Sequence, residues 1–358
     1  MYFKSSYFYN FRNLMPERLL WSPGFNLITG RNGAGKTNFL EGLNLISGWG
    51  PLEKGTKMSA LATWRADGSD KTDDRHDRAS LWAGVSGEES AELFMSIGLR
   101  CSLKLDEKNT TASVVRSRVP VLPFLSDHLS LLRGSASHRR GLLDRVGSLI
   151  SPSYARRLHD YKKALRQKSV LLRRRSDTRV ANRTLIPLGA WLWTAREELS
   201  RLLEDALARF SDLLAVPMRV VYVRGGGGLD EEPLTDFRKA LSEKNAGERA
   251  AGIPLVGPQR DDLRLICGTR EAAVALSRGQ SRRAASALVL ASAYVVERSL
   301  ARKPVLLFDE IASELDVDGR DATFDALLST GCQVFAASAD PIDFEGIETY
   351  RMQEGKFL

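Results

Sequence analysis

An eight-residue glycine-rich segment near the amino terminus constrains this chain more than any other feature. Its sequence, Gly30-Arg31-Asn32-Gly33-Ala34-Gly35-Lys36-Thr37, fits the pattern G-x-x-x-x-G-K-[ST]. An apolar run at residues 25–29 precedes it, and a stretch with helical periodicity at residues 38–46 follows it. This strand–loop–helix order predicts a loop whose backbone N–H groups cradle phosphates beside the positive end of a helix. An ordinary glycine-rich turn is the alternative interpretation.

Each part of this loop has an expected role in holding a nucleoside triphosphate. We expect the Lys36 ammonium group to reach the β- and γ-phosphates and to take part in catalysis, and the Thr37 hydroxyl group to bind Mg²⁺. The remaining residues expected to contact the nucleotide are Gly30, Arg31, Asn32, Gly33, Ala34, Gly35 and Asn38. The loop therefore predicts a nucleotide site with a magnesium ion.

Two carboxylates follow a second apolar run, at residues 304–308. In an open α/β sheet, the groups that bind ligands lie at the carboxyl ends of the strands. We therefore expect Asp309 to hold the magnesium shell and Glu310 to polarise the attacking water as a general base. A solvated acidic turn would explain the same residues if they stood alone, but the glycine-rich loop favours the catalytic interpretation.

Length, composition and charge set broad limits. A chain of 358 residues exceeds what one core usually supports, so we expect two domains or a domain with a large insertion. No apolar stretch is long enough to span a membrane, and the isolated cysteines Cys101, Cys267 and Cys332 predict reduced thiols in a cytoplasmic protein without a membrane partner. The net charge of +8 slightly favours a polyanionic partner such as nucleic acid.

The periodicity of the sequence changes twice along the chain. Residues 1–118 are rich in predicted strands, residues 119–215 form predicted long helices, and strands alternate with helices from residue 216 to residue 358. Such alternation implies a mostly parallel sheet covered by helices. We predict an α/β nucleotide-binding head with a mixed sheet, built from both ends of the chain, with a helical lobe inserted over residues 119–215.

Three further predictions concern short segments. Residues 113–119 are expected to form a strand. Pro187 and Gly189 are expected to separate the two helical runs of the inserted lobe. Residues 260–262, Arg-Asp-Asp, have two interpretations of equal weight, a turn held by a local ion pair or a part of a dimer interface near the nucleotide.

The helical region is strongly basic between residues 154 and 183. The residues expected to contact DNA are Arg156, Arg157, Lys162, Lys163, Arg166, Arg173, Arg174 and Arg175. Lys168 lies in the same stretch, and only Asp160 and Asp177 oppose these charges. Because like charges repel, the cluster predicts a surface that contacts phosphates without reading bases, which Arg139 and Arg140 would extend. A solvated helix face is the alternative.

The segment Leu276-Ser277-Arg278-Gly279-Gln280 precedes a predicted long helix. Ser277 suits the N-cap position, and glycine at position 279 permits close approach to the backbone. The segment resembles the signature motif of ABC-type ATPases, usually L-S-G-G-Q. Residues 309–316 resemble the acidic motif and the following loop of the same proteins, and all three motifs occur in the order typical of them.

This resemblance implies an ABC-type P-loop ATPase head with ATP and Mg²⁺ as cofactors. It also implies an ATP-dependent homodimer, because in such proteins the signature segment of one subunit completes the nucleotide site of the other. Ser277, Gly279 and Gln280 would then contact the partner's nucleotide, and hydrolysis would release the dimer.

Several stretches resemble the RecF family of DNA replication and repair proteins. They comprise residues 10–13, 23–41, 134–144, 257–263, 276–280 and 309–316, which together extend over almost the whole chain. The resemblance implies ATP-dependent binding to DNA at single-strand gaps and duplex–single-strand junctions, with slow, DNA-stimulated ATP hydrolysis. The implied partners are RecR and RecO, which help to load the RecA recombinase. The alternatives are a transporter-energising or SMC-like ATPase and an ATP-binding scaffold without significant hydrolysis.

Two sensing positions depart from the patterns of these families. No glutamine is evident near residues 124–129, where a magnesium-sensing glutamine is typical, and Asp127 is the candidate to replace it. The position after residues 334–338 lacks histidine, which leaves Ser338 or Asp340 to sense the γ-phosphate.

Overall fold

The computed structural model describes residues 1–52, 55–62, 78–87, 89–98, 100–124, 129–228, 232–312 and 315–358. They form two compact units, the first made of Met1–His128 with Val296–Leu358 and the second of Leu129–Val295. The second unit contains the helical region and extends to Val295, past residue 215. The domain boundaries expected at residues 118 and 215 stay predictions.

Strands dominate the first part of the chain, long helices the middle, and the two alternate towards the end. In chain order they are β1 (Tyr2–Tyr9), β2 (Arg18–Leu20), β3 (Phe25–Thr29), α1 (Lys36–Ile46), β4 (Ala79–Ser86), β5 (Ala91–Ile97), β6 (Ser102–Leu105), β7 (Lys108–Asn109), α2 (Ala112–Arg118), β8 (Val121–Phe124), α3 (Leu129–Arg133), α4 (Ala136–Ile150), α5 (Pro152–Arg173), α6 (Arg179–Leu207), β9 (Met218–Val223), α7 (Pro233–Ala251), β10 (Asp262–Cys267), β11 (Arg270–Glu271), α8 (Ala272–Ala275), α9 (Arg278–Leu300), β12 (Val305–Phe308), α10 (Val317–Ser329), β13 (Val334–Ser338), β14 (Ile347–Gln353) and β15 (Lys356–Phe357).

The sheet that carries the glycine-rich loop has the strand order β15-β14-β3-β13-β12-β8. Its strands pair in parallel except for β15, so the predicted mixed α/β sheet is confirmed. Continuous buried runs such as β12 suit parallel strands that are covered on both faces. Because β3, β13 and β12 are consecutive and parallel, their carboxyl ends meet at one edge of the sheet.

A second sheet in the first unit is antiparallel and has the order β2-β1-β4-β5-β6-β7. Burial alternates along β4 and β5, which is typical of a sheet with only one face in the core. Helix α1 packs against β4 and β5 of this sheet and against β12 and β13 of the other. The rings of Phe39 and Phe335 lie 5.0 and 5.2 Å from Trp21 in the shared core, where such aromatic pairs contribute beyond their buried area.

The helical hairpin of the second unit turns earlier than the sequence predicted. Helices α5 and α6 pack together and are joined by residues 174–178, whereas Pro187 and Gly189 lie inside α6. Gly189 allows close packing instead of breaking the helix, because a Cβ atom there would lie 2.4 Å from the Phe237 ring. In the turn, Arg175 adopts a left-handed conformation (φ 55°), and the Asp177 carboxylate accepts a hydrogen bond from the Arg179 N–H at the start of α6.

The strand predicted over residues 113–119 is wrong, because this segment forms helix α2. The Thr111 hydroxyl caps the helix by accepting a hydrogen bond from the Val114 N–H at 3.4 Å. Only Val115 of the helix is fully buried, so no alternating face favours a strand. No helix in the described ranges has the length and apolar character needed to cross a membrane.

Candidate nucleotide and nucleic-acid sites

The glycine-rich loop connects β3 to α1, as the sequence predicted. Gly33 and Gly35 adopt positive φ angles of 83° and 109°, which side chains with a Cβ atom rarely tolerate. A Cβ atom at Gly30 would lie 2.2 Å from the Met352 carbonyl oxygen, so this glycine is required for space. The first N–H groups of α1 have no partners within the helix and are therefore available to an anion.

The Lys36 side chain folds back over the loop. Its ammonium group donates hydrogen bonds to the carbonyl oxygens of Gly30 at 2.5 Å and Arg31 at 3.1 Å. Burial lowers the pKa of Lys36, and the nearby carboxylates of Asp309 and Glu310 partly oppose this shift. The lysine therefore lies beside the acidic pair, in a position to bind an anion inside the loop.

Asp309 follows β12 and lies next to Thr37, although the two residues are far apart in the sequence. The Thr37 hydroxyl donates a hydrogen bond of 2.7 Å to Asp309 Oδ2. Burial raises the pKa of Asp309, and the neighbouring charge of Glu310 adds to the shift. The other carboxylate oxygen, Oδ1, is buried and has no hydrogen-bond partner in the described ranges. Hydroxyl and carboxylate oxygens suit Mg²⁺, so this unpaired oxygen fits the predicted magnesium site.

Glu310 is exposed and adopts a left-handed backbone conformation, with φ 49°. This conformation costs about 1 kcal/mol or more for a residue with a side chain, and such strain concentrates at functional sites. The following turn is fixed by a hydrogen bond of 3.1 Å from the Ile311 N–H to the Ala337 carbonyl oxygen. The backbone thus holds Glu310 at the sheet edge that carries Asp309.

Ser338 ends β13 at the same edge. Its carbonyl oxygen accepts a hydrogen bond of 3.3 Å from the Gly30 N–H, and its hydroxyl donates one of 2.8 Å to the Asp340 carbonyl oxygen. Of the two residues proposed to sense the γ-phosphate, Ser338 is therefore directly bonded to the loop. Asp127, the candidate for sensing magnesium, lies outside the described residues, as do positions 313 and 314.

The segment of residues 276–280 begins α9 in the second unit. Gln280 N–H donates to Ser277 Oγ at 3.2 Å, and Ser277 N–H donates to Gln280 Oε1 at 2.9 Å. This reciprocal pair is a capping box, so Ser277 occupies the predicted N-cap position. Arg133 donates hydrogen bonds to the Leu276 carbonyl oxygen and to Ser281 Oγ, which fixes the segment to α3. Gly279 is half-buried, and Ser277 is exposed.

A buried arginine that the sequence analysis did not identify organises the second unit. Arg196, in α6, donates to Asp261 at 2.7 Å, to Asp144 at 2.8 Å and to the Pro258 carbonyl oxygen at 2.6 Å. Burial alone would lower the pKa of Arg196, but the two carboxylates hold it well above its ordinary value. Trp193 Nε1 also donates to Asp261, at 2.9 Å.

This network corrects the predictions for residues 260–262 and for the arginines of α4. Asp261 pairs with Arg196, and Asp262 pairs with Arg139 at 2.8 Å, so neither forms the expected local ion pair. Arg140 donates to the Asp261 carbonyl oxygen at 2.7 Å. Arg139 and Arg140 are therefore held by the fold and do not extend the basic surface. The interpretation of residues 260–262 as an interface stays a prediction.

Helix α5 and the turn after it carry the basic surface. The exposed members are Arg156, Lys162, Lys163, Arg166, Arg173, Arg174 and Arg175. Arg157 is half-buried because its guanidinium group lies 4.3 Å from the centre of the Trp191 ring. Lys168, in contrast, is fully buried and pairs with Glu248 at 2.6 Å. Its charge therefore belongs to the core and not to the basic surface.

Comparison with known proteins gives a consistent result, although no family model matches the sequence. The chain is 32% identical to the DNA replication and repair protein RecF of Heliobacterium modesticaldum, over 97% of this chain and 96% of that protein. It is 31% identical to the protein of the same name from Symbiobacterium thermophilum, over 92% of this chain and 89% of that protein.

The solved structures give the same fold. The structure of the recombination mediator protein RecF-ATPrS in the RecFOR pathway matches with a TM-score of 0.86 at 23% identity, covering 99% of this chain and 97% of that one. An SMC head bound to the C-terminal winged-helix domain of ScpA matches with a TM-score of 0.57 at 15% identity, covering 100% and 96%. The fold is therefore shared with RecF and, more distantly, with SMC heads.

Proposed function

The chain belongs to the RecF family of DNA replication and repair proteins, and from this premise we propose that it is an ATP-dependent DNA-binding protein of recombinational repair. The observation that carries the proposal is the contact between Thr37 and Asp309 beside the glycine-rich loop, whose oxygen atoms suit a magnesium ion. The description of a structural neighbour as a recombination mediator that binds ATP supports the same function.

In this proposal the first unit binds ATP with Mg²⁺. The triphosphate lies along the N–H groups of residues 30–38, and the ammonium group of Lys36 exchanges its loop carbonyls for phosphate oxygens. Thr37 and Asp309 would hold the magnesium ion, which would neutralise phosphate charge. Glu310 accepts the proton of the water that attacks the γ-phosphate, and ADP leaves as the bond to that phosphate breaks. The slow rate of this hydrolysis is what the resemblance to the RecF family implies.

We further propose that ATP drives formation of a homodimer. Ser277 is exposed and Gly279 is half-buried at the start of α9, whose N-terminus favours an anion. Together with Gln280 they would contact the γ-phosphate held by a second copy of the chain. Hydrolysis would remove that phosphate and release the dimer.

A Glu310→Gln variant tests both the catalytic role and the dimer. It should bind ATP normally, lose most ATP hydrolysis, and remain a dimer in ATP and Mg²⁺ when its mass is measured by light scattering. Glu354→Gln is the matched control, because Glu354 is also an exposed glutamate of the first unit with a left-handed φ of 48°. A Glu310→Gln variant that returned to monomer faster than the wild type would contradict both assignments.

We propose that the exposed basic residues of α5 and its turn contact DNA phosphates. This cluster has few opposing carboxylates, and the guanidinium group of Arg157, on the same helix as the cluster, stacks on Trp191 of α6. Contacts of this kind position a duplex without reading its sequence, and they weaken steeply as salt is added.

Charge reversal tests this surface. Replacing Arg173, Arg174 and Arg175 together by glutamate should weaken DNA binding at least tenfold, reduce its salt dependence, and leave ATP binding unchanged. The control reverses three other exposed arginines of the second unit, Arg219, Arg264 and Arg270. Equal losses in the two triple variants would show a general effect of net charge and would contradict the proposed surface.

The partners and alternatives follow from the family. RecR and RecO are the proposed protein partners, single-strand gaps and junctions are the proposed DNA sites, and the cytoplasm is the proposed location. An SMC-like protein needs long helical arms, whereas α5 and α6 have 22 and 29 residues. A scaffold that binds ATP without hydrolysing it would not need a general base such as Glu310. No observation on the described residues favours a transporter-energising role.

A further inference from the structure

One face of the antiparallel sheet in the first unit carries three aromatic side chains in a single row. The strand register places Tyr7 opposite Trp82, and Trp82 opposite Phe94. Their ring centres lie 5.4 and 4.8 Å apart along the row. The neighbouring residues on each strand are buried, so this row lies on the face away from the core. Trp82 remains 38% exposed.

A cationic residue stands at each end of this aromatic row. Arg18 of β2 is paired with Tyr7, and Lys104 of β6 is paired with Phe94. The Lys104 ammonium group lies 5.8 Å from the centre of the Phe94 ring. The row therefore crosses five strands, with three rings in the middle and a positive charge at both ends.

The adjacent rows are formed mostly by small residues. On one side the register aligns Ser80, Ser96 and Ser102, beside the exposed ring of Tyr9. On the other side Gly84 lines a cavity of about 260 Å³ that also reaches Arg18, Trp82 and Glu92. Small neighbours leave room for a flat ligand beside the Trp82 ring.

We propose that this aromatic row is a stacking platform for the unpaired bases of single-stranded DNA. Aromatic rings stack against bases of any identity, and cations beside the rings bind the phosphates of the same strand. The proposal rests on the DNA-binding function proposed above. It adds that the first unit binds single-stranded DNA. Charge favours nucleic acid over an apolar protein partner, because Arg18 and Lys104 flank the rings, while Glu92 is the one carboxylate among the described residues that line the cavity.

The test uses an oligothymidine probe in which one base is 5-iododeoxyuridine. Irradiation of the full-length protein with this probe should give cross-links at Tyr7, Trp82 or Phe94, identified by mass spectrometry. Trp82→Ala should weaken binding to unmodified oligothymidine about tenfold, whereas Trp82→Phe should restore most of the affinity because it keeps a ring. The slope of affinity against salt should not change, since no phosphate contact is removed. Val274→Ala, at an exposed apolar residue of the second unit, is the control.

Three results would overturn the platform. They are the absence of cross-links at the row, unchanged oligothymidine binding by Trp82→Ala, and a loss of dimer mass in that variant, which would make the face a protein contact. Binding of a gapped duplex with and without ATP is measured in parallel. A wild-type protein that does not bind the gapped duplex would contradict the proposed function. If it binds the gapped duplex but forms no cross-links at the aromatic row, only the platform is contradicted.

Discussion

At the scale of single residues, the proposed magnesium site would sacrifice stability for function. Asp309 is buried enough to raise its pKa, yet magnesium binding needs its ionised form. A raised pKa means that the folded chain favours the protonated carboxyl more than the unfolded chain does. The stability that this protonation contributes is present at acid pH and is lost as the pH rises through the folded-state pKa. At neutral pH the carboxylate therefore destabilises the free protein.

Asp309→Asn should separate these two effects. The variant keeps an oxygen that accepts the Thr37 hydrogen bond but removes the charge, so the melting temperature at neutral pH should rise by about 2 °C. This gain should shrink as the pH falls through the raised folded-state pKa of Asp309, because the wild-type carboxyl then becomes protonated. Magnesium-dependent ATP binding should be lost in the same variant. A lower melting temperature for Asp309→Asn than for the wild type at neutral pH would contradict the predicted effect of Asp309.

At the scale of helices, two glycines in similar positions should respond in opposite ways to substitution. Gly189 of α6 lies under the Phe237 ring, whereas a Cβ atom at Gly141 of α4 would meet no atom within 4 Å. We expect Gly189→Ala to destabilise the second unit by about 1–3 kcal/mol through overpacking. Gly141→Ala should stabilise it by about 0.5–1 kcal/mol through helix propensity. Urea unfolding measures both, and a stabilising Gly189→Ala would show that the packing argument is wrong.

The buried network around Arg196 should dominate the stability of its helices. Arg196→Met leaves Asp144 and Asp261 without their shared cation, so we expect a loss of about 3–5 kcal/mol at neutral pH. In the wild type, Arg196 and Lys162 overcome the effect of burial and lower the pKa of Asp144, which adds stability that is lost as the pH falls through that value. The difference between variant and wild type should therefore shrink in acid.

Unfolding by urea at several pH values measures this difference. Arg201→Met is the control on the same helix, since Arg201 is 74% exposed and forms only a surface ion pair with Glu197. Its substitution should change the free energy of unfolding by less than about 1 kcal/mol. A similar effect of the two substitutions would contradict the central role of Arg196.

Sequence patterns predicted these elements well where one local rule decides the structure. The bounds of β3 match the apolar run predicted at residues 25–29, and α9 begins directly after the predicted N-cap, Ser277. The sequence does not predict that Gly189 lies inside a helix, because the role of this glycine depends on Phe237, which lies on another helix. No pattern around Arg196 predicts that this arginine is buried. The sequence offers only its two partners, Asp144 and Asp261, which lie in the stretches 134–144 and 257–263.

At the scale of the whole molecule, the two segments proposed to bind nucleotide belong to different compact units. The glycine-rich loop, Asp309 and Glu310 lie in the first unit, and residues 276–280 lie in the second. The sequence motifs predict the residues of each segment, and the contacts of these residues with nucleotide stay predictions. The sequence did not reveal the aromatic row, because Tyr7, Trp82 and Phe94 come together only through the register of three strands.

The most direct test of the proposed function is the affinity for a gapped DNA duplex, measured with and without ATP and Mg²⁺. We expect ATP to tighten binding at least tenfold in the wild type, because the dimer it forms presents two DNA surfaces. Lys36→Ala should bind equally weakly in both conditions. The same affinity with and without ATP in the wild type would contradict the proposal that nucleotide controls DNA binding.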